Sequence, residues 1–167
     1  MIATKRTPFE PARVKLSIGS LDDPSLAVHA QYNPKEVQLK RTVPWTDHKK
    51  EIVEFGGTKP RAMSVELLFD GFEQHRSIQP QLDVLERLAT VRGHARDNDP
   101  ALQRPHWCVV AWGDAMPKLR CVIESVTVKY SMFSDDGTPL RAVATVELKE
   151  AAAVDQHPRG KSAKAKR

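Results

Sequence analysis

Residues 130–142 read YSMFSDDGTPLRA and lie between two runs in which apolar and polar residues alternate. The pair Asp136-Gly137 is a turn signal, because glycine adopts positive φ angles at no steric cost. Side chains alternate between the two faces of a strand, so the outgoing run is expected to bury Leu140 and to place Arg141 on the opposite face. The stretch therefore predicts an antiparallel β-hairpin with one charged residue of unassigned role.

Four more segments show the alternation that is typical of strands. In the segment before the hairpin the alternation shifts by one residue near Glu124-Ser125, which predicts a β-bulge. Residues 107–112 form a short apolar run that suits a strand buried on both faces. The polar stretch from 46 to 61 reads as a long exposed loop. The four segments are 14–18, 26–32, 37–43 and 63–69, and the run that enters the hairpin is 119–130.

One helix is expected to interrupt the strands. Ser77 is placed to cap its first turn, and Gly93 lies where a helix commonly ends. Apolar residues at helical spacing would pack against the sheet: Ile78, Leu82, Leu85, and Leu88 or Ala89. Strands outnumber helices and mostly neighbour one another along the chain. The predicted fold class is therefore mainly β, an antiparallel β-sandwich or partly open barrel with one packed helix.

Length and charge suggest one domain with two polar ends. The 167 residues can bury a core without disulfides. We expect a flexible leader at 1–12, a β domain at 13–150 and a basic disordered tail at 151–167. Most of the net charge of +5 lies in that tail, which leaves the body nearly neutral. No apolar run reaches the ~18–20 residues of a membrane span and no signal peptide is evident, so we expect cytoplasmic production and no membrane partner.

The sequence offers little that resembles a catalytic or metal site. The six histidines lie at no ligand spacing, and His106 next to Cys108 reads more simply as a hydrogen-bonded edge histidine beside a buried thiol. Cys108 and Cys121 are expected to be free core residues. Asp135-Asp136 is explained as a turn pair that bonds its own backbone. We therefore expect no enzyme, no cofactor and no metal.

A nucleic-acid-binding β-barrel with a basic tail is the alternative function. Such barrels need exposed aromatic side chains on a basic face. Aromatic residues make up only 6% of this chain and sit among apolar strand residues, so nucleic acid is the weaker choice of partner. The aromatic residues expected in the core are Phe69, Trp107, Trp112, Tyr130 and Phe133.

Four phrases in order resemble the N-terminal domain of the hub–tube adaptor, or tube-initiating, proteins of contractile injection systems, the phage-tail-like particles of bacteria. The resemblance covers roughly residues 12–150. The phrases are YNP at 32–34 leading into VQLKRTVPW at 37–45, MSVELLFD at 63–70, PHW and VVAWG between 105 and 113, and DGTPLRA at 136–142.

The resemblance implies a phage tail tube-like fold of two packed antiparallel sheets and a helix. It implies a structural, non-catalytic protein that forms a homo-oligomeric, six-fold ring and initiates tube assembly. The implied partners are the trimeric spike hub and the inner tube protein, with assembly in the cytoplasm as part of a baseplate. Many relatives continue into a LysM module, whereas this sequence has a basic tail there, so we expect no cell-wall binding of that kind.

Within this resemblance, four residues are candidate interface residues. Asn33-Pro34 would cap a strand and set a loop at the ring interface, with an ordinary turn as the alternative. Arg141 would form an ion pair across subunits, with an exposed strand charge as the alternative. Trp45 and the 46–61 segment would form a flexible arm between rings, with a plain surface loop as the alternative.

Overall fold

The computed structural model describes most of the predicted β domain. The predicted leader at 1–12 lies outside the described residues, and so does the predicted tail apart from Ala151. The described residues are 14–43, 45–47, 53–55, 59–93, 98–100 and 102–151.

Nine strands and one helix form in this part of the chain. The first five strands are short, and the last two are the longest. The elements are β1 Ser17–Ser20, β2 Ala27–His29, β3 Val37–Lys40, β4 Trp45–Asp47, β5 Val53–Phe55, β6 Ala62–Asp70, α1 Gln79–Ala89, β7 Cys108–Ala111, β8 Leu119–Phe133 and β9 Pro139–Glu150.

Seven strands form one antiparallel sheet in the order β2-β1-β7-β8-β9-β6-β3. The remaining two, β4 and β5, pair with each other in register from Trp45↔Phe55 to Asp47↔Val53. The mainly β, antiparallel class with a single helix is confirmed. The prediction of a plain loop at 46–61 is wrong, because backbone pairing organises part of this polar segment without any strong apolar alternation.

The main sheet curls, and one side chain shows it. In a flat sheet, β2 and β6 would be five strand spacings apart, about 24 Å. Gln31, just beyond β2, nevertheless donates its Nε2 to the Asp70 carbonyl at 2.6 Å, and its Oε1 accepts the Asp70 backbone N–H at 2.8 Å. Asp70 is the last residue of β6. The β2 edge of the sheet therefore meets β6 on the side that faces away from β9. This geometry agrees with the expected partly open barrel.

The concave side of the sheet holds the core. Strands β6 and β9 bury every second residue, as the alternation predicts, and Phe69 is completely buried. Helix α1 packs against β8 and β2 and adds three fully buried leucines, Leu82, Leu85 and Leu88. Burying a large aliphatic or aromatic side chain stabilises a fold by about 1.5–3 kcal/mol. This one core therefore accounts for a domain without disulfides.

The helix begins one residue later than a cap at Ser77 predicts, and it ends early. Its N-cap residue is Ile78, with no side-chain cap bond, and the Ser77 hydroxyl before it accepts the Gln79 backbone N–H at 3.1 Å. The helix ends at Ala89, because Thr90 is extended (φ −94°, ψ 147°), and Gly93 is not its terminus. The chain leaves the helix to pair with a later segment: the Gly93 N–H donates to the Leu102 carbonyl at 2.6 Å.

Strand β8 contains the predicted bulge, since its register with β9 shifts between Ile123 and Ser125. Strand β7 is buried on one face only, so the prediction of burial on both faces is wrong. Its outward residues, Val109 and Ala111, are only partly buried.

The aromatic residues divide between core and surface. Phe69 is fully buried as predicted, and Trp112 packs against the core while partly buried. Tyr130 and Phe133 are 37% and 57% exposed, so their assignment to the core is wrong. Pairing with β6 ends at Asp70↔Arg141, and no third strand covers the hairpin beyond that level in the described part of the chain.

Candidate assembly surfaces

Asn33 completes the pairing of the first two strands. Its Oδ1 accepts the Leu16 backbone N–H at 3.1 Å, and its Nδ2 donates to the Val14 carbonyl at 2.9 Å. The last backbone bond before it runs from the Ala30 N–H to the Leu16 carbonyl. The side chain thus extends the ladder after the backbone has turned away. The predicted strand cap is present; a place at a ring interface stays a prediction.

Pro34 lies in a loop that overhangs an open groove. We call this feature the 32–38 groove: residues 32–38 form one wall, and the outward side chains of β6 and β9, including Leu68 and Val143, form the floor. Its volume is about 390 Å³. Tyr32 is half exposed on its wall, and Leu68 is 37% exposed on its floor. The groove is therefore an accessible, partly apolar surface.

The groove runs along an uncovered length of β6. Strand β3 pairs with β6 only as far as Val65, where it meets Val37. Beyond Val65, the described residues provide no strand on that side of β6, and the Gln31 amide covers only Asp70. Strands β2 and β3 are the ends of the sheet order. Unpaired strand edges are templates for pairing with another chain.

Trp45 is the first residue of β4 and lies opposite Phe55 in β5. This two-stranded ladder follows β3 along the chain and is separate from the main sheet. The predicted arm between rings corresponds to this ladder, and its contact with a second ring stays a prediction.

Arg141 has a partner within its own chain. Its Nε and Nη2 donate to Oδ2 of Asp70 at 2.9 and 2.7 Å, and the two residues are directly opposite in β9 and β6. The Phe72 backbone N–H, bonded to the other carboxylate oxygen, and the Arg141 guanidinium together lower the pKa of Asp70. The predicted ion pair across subunits stays a prediction, because Arg141 is still 37% exposed.

The hairpin turn uses Asp136 as predicted. Its Oδ1 accepts the Thr138 backbone N–H at 3.0 Å and the Ser134 hydroxyl. These bonds, the Ser134 bond first, lower the pKa of Asp136 to about 2. Gly137 has the expected positive φ of 83°. The adjacent Asp135 is exposed and makes no hydrogen bond or ion pair with any described residue.

Exposed aromatic side chains surround this turn. We call residues 130–138 with Phe72 the aromatic tip. The Tyr130 and Phe133 ring centres are 6.2 Å apart, and Phe72, 46% exposed, lies 6.4 Å from His75. His75 in turn lines a shallow pocket with the turn residues. The acidic turn beside these rings repels phosphate, so this surface does not suit nucleic acid.

A tight turn positions Phe72. A Cβ on Gly71 would lie 2.0 Å from the Arg76 carbonyl oxygen, and the Arg76 N–H donates back to the Gly71 carbonyl at 3.0 Å. His75 has a positive φ of 47° in the same turn. Only glycine fits at position 71, a requirement that the sequence analysis missed.

The Ser20 hydroxyl and the His106 imidazole are in contact where β1 ends. The Ser20 Oγ lies 2.8 Å from His106 Nδ1, and both residues are buried. The Ser20 oxygen also accepts the backbone N–H groups of Asp22 and Asp23 at 3.0 and 2.9 Å. Its hydroxyl proton is therefore donated to Nδ1, and burial lowers the pKa of His106. This pair shapes a turn rather than activating a nucleophile, because both oxygen lone pairs are already used.

Asp22 ties the same turn to the connector before β7. It accepts two bonds from Arg104 at 2.9 and 3.0 Å and the Trp107 backbone N–H at 2.8 Å. The Arg104 bonds are the main reason why the pKa of Asp22 falls to about 2. The sequence analysis missed this residue, since an Asp-Asp pair in the turn after a strand carries no distinctive pattern.

Cys108 and Cys121 are directly opposite each other in β7 and β8, completely buried and free, as predicted. Burial raises the pKa of each thiol to about 12. Across the described ranges, no cluster of three or more His, Cys, Asp or Glu residues could hold a metal ion. The described helix is too short and too polar to cross a membrane.

Comparison with known protein families assigns the chain to one family. The family described as contractile injection system tube protein matches residues 14–159. This chain belongs to that family. No curated protein matches it. As a tube-family protein it has a structural role in a multi-subunit, phage-tail-like particle. Surfaces, rather than a reactive centre, are therefore where its function is to be sought.

Proposed function

We propose that this tube-family protein is the adaptor that joins the spike hub to the inner tube and initiates tube assembly, acting as a ring of six copies without catalysis. The observation that carries the proposal is the family match over residues 14–159 on a domain whose sheet ends in two short edge strands, β2 and β3. The ordered phrases from Asn33-Pro34 to Arg141 support the adaptor over an ordinary tube subunit.

Ring formation has a physical reason in the sheet. Strand β3 is short and largely exposed, with Leu39 at 49% exposure. An open edge of this kind risks uncontrolled association in a monomer. Closed rotational symmetry pairs each edge with a neighbour and limits the number of copies. The same edges would then provide the lateral contacts of the ring.

The test is reconstitution from purified components. The full chain is mixed with the hub and tube proteins of the same particle, and its mass is measured by native mass spectrometry and its shape by electron microscopy. We expect a six-copy ring that binds the hub, and tube polymerisation that starts without a lag when ring and hub are present. A protein that stays monomeric and binds neither component contradicts the proposal.

Two further results separate the roles within the family. Long tubes formed by this chain alone, without the hub, would identify it as a tube subunit and overturn the adaptor role. The variants Leu39→Asp and Val91→Asp form a matched pair, because both residues are about half exposed and only Leu39 lies on an edge strand. Leu39→Asp should prevent ring formation, whereas Val91→Asp should leave it intact.

A further inference from the structure

The 32–38 groove presents both apolar and acidic side chains to solvent. Leu68 on its floor is 37% exposed, and Tyr32 on its wall is half exposed. Glu36 and Glu66 also line it, and neither carboxylate makes a hydrogen bond or ion pair with a described residue. Its volume of about 390 Å³ lies in the range of ligand-binding clefts. A suitable occupant therefore combines apolar side chains with positive charge.

The segment that precedes the described residues has the opposite charge. The lining of the groove carries two acidic side chains, Glu36 and Glu66, against the single base Lys35. Residues 1–13 read MIATKRTPFEPAR and carry three basic side chains against the single acid Glu10. Opposite charges on two surfaces favour their association and fix its register.

The same segment supplies an apolar side chain. Phe9 lies between Pro8 and Pro11, and proline fixes φ, so the segment loses less conformational entropy when it becomes ordered. Residues 152–167 are also basic, but they contain no apolar side chain larger than that of Val154. Residues 1–13 therefore match the groove better than the C-terminal segment does.

The N-terminal segment joins the structure at the wall of this groove. Asn33 lines the groove, and its Nδ2 donates to the carbonyl of Val14 at 2.9 Å. Val14 is the first described residue. Phe9 lies five residues before it, at most about 17 Å of extended chain. Because Asn33 and Leu68 line the same groove, the floor lies within reach of Phe9 from its own chain.

We propose that residues 1–13 dock into the 32–38 groove of their own chain, with Phe9 against Leu68 and the basic side chains near Glu36 and Glu66. The inference is independent of the adaptor role, because it concerns a single chain. A partner that binds the groove must first displace the segment, which lowers the apparent affinity of that partner. The segment would thus act as an autoinhibitory cover of this surface.

Crosslinking within the full chain tests the contact directly. The double variant Phe9→Cys/Leu68→Cys is treated with a short bismaleimide at low protein concentration, and linked peptides are identified by mass spectrometry. Cys108 and Cys121 do not interfere, because both are completely buried with pKa values of about 12. We expect an intrachain link. In the control, Glu86→Cys replaces Leu68→Cys and should give no link, because position 86 is exposed on α1, which packs against the core side of the sheet.

Tryptic cleavage after Arg6 measures docking without a crosslink. Phe9→Ser should raise the cleavage rate about tenfold, the scale expected for a large apolar side chain, whereas Phe9→Leu should retain most of the protection. Glu66→Lys should raise the rate about two- to fivefold, the range of an exposed ion pair. Glu86→Lys, at an exposed position outside the groove, should leave it unchanged. Equal rates within either pair of variants would overturn the inference.

The outcomes distinguish the possible occupants. A link between positions 9 and 68 of different chains, with a yield that rises with protein concentration, would assign the groove to a second copy and overturn the inference. A link to Leu68→Cys from Ser162→Cys, without one from Phe9→Cys, would assign the groove to the C-terminal segment and overturn it as well.

The outcomes also separate this contact from the proposed function. Rings that bind the hub while no intrachain link forms would overturn the contact and leave the adaptor role standing. An intrachain link in a protein that binds neither hub nor tube would support the contact and contradict the adaptor role.

Discussion

The middle and the tip of the hairpin formed by β8 and β9 differ, although the same two strands build both. In the middle, β6 lies beside β9 and helix α1 packs against β8, and every second residue of β9 is buried. Beyond the Asp70↔Arg141 level, β6 has ended and the aromatic side chains are exposed. Burial on a hairpin is therefore decided by which elements cover it, and a strand can hold both buried core residues and exposed aromatic residues.

The largest expected effect on stability comes from removing a core side chain of β6, the strand that covers the middle of the hairpin. Phe69→Ala removes a completely buried ring and should lower the free energy of unfolding by about 3–5 kcal/mol. Urea denaturation followed by circular dichroism measures it. A loss no greater than that of Phe133→Ala would contradict the distinction between the two halves.

The turn after β6 provides the next test. Gly71→Ala forces a Cβ against the Arg76 carbonyl oxygen, and the resulting backbone strain should cost about 1–3 kcal/mol of unfolding free energy. Gly19→Ala is the matched control, because its Cβ would meet its nearest neighbour, the Ala27 Cβ, at 3.6 Å, an ordinary contact. Equal effects of the two variants would show that the turn adapts easily.

Arg141 lies at the boundary between the two halves. Arg141→Ala removes its ion pair with Asp70, which is partly exposed, and should lower the unfolding midpoint less than Gly71→Ala does. Ring assembly, measured by native mass spectrometry, should decline more than folding if Arg141 has an interface role. Damage to folding and assembly in equal proportion would assign it to the fold alone.

Acidification tests the buried end of β1, away from the hairpin. The folded state lowers the pKa of His106, so its neutral form is favoured there. Stability from this residue is complete above the ordinary His pKa of about 6.5 and is lost as pH falls from that value through the lowered pKa. The groups facing it are Asp22, Asp23, Arg92 and Arg104.

We therefore expect His106→Gln to reduce the loss of unfolding free energy between pH 7 and pH 5, measured by urea titration. His29→Gln, at an exposed position, should retain the wild-type slope. The contribution of Asp22 is separate, because its pKa of about 2 places its loss below about pH 4. An unchanged slope in His106→Gln would contradict the prediction.

The smallest effect on stability is expected at the uncovered tip of the hairpin. Phe133→Ala should change the unfolding free energy by no more than about 0.5 kcal/mol, as is usual for surface residues. Differential scanning calorimetry measures it. A loss of 2 kcal/mol or more would mean that the ring is buried in the free protein, and would remove the contrast between tip and middle.

The sequence predicts the strands well where one face meets the core, as in β6, because burial produces strict alternation there. The prediction fails where pairing between distant segments decides where a helix ends or whether a strand forms. Gly93 does not end the helix, because residues 92 and 93 bond to 104 and 102. The ladder of β4 and β5 has no strong alternation to announce it. Apolar content alone cannot show that Phe133 lies beyond the last neighbouring strand.

The candidate surfaces were predictable only in part. Asn33 was identified because an Asn-Pro pair marks a strand end, and its side chain does extend the ladder. The 32–38 groove depends on where β3 leaves β6, and that position has no local signal. Asp135 and Asp136 were read correctly as turn residues, but their position near exposed aromatic rings depends on the length of β6.

The contact of Gln31 with Asp70 has a consequence for motion. A primary amide presents a donor and an acceptor with the same spacing as a peptide group, so one side chain acts here as a strand of a single residue. Rotation about its χ angles can break both bonds while every strand stays paired. The amide proton of Asp70 should therefore exchange with solvent far faster than the β6 amide protons that bond to β9. The seam of the barrel would thus open on the timescale of a side-chain rotation, independently of unfolding.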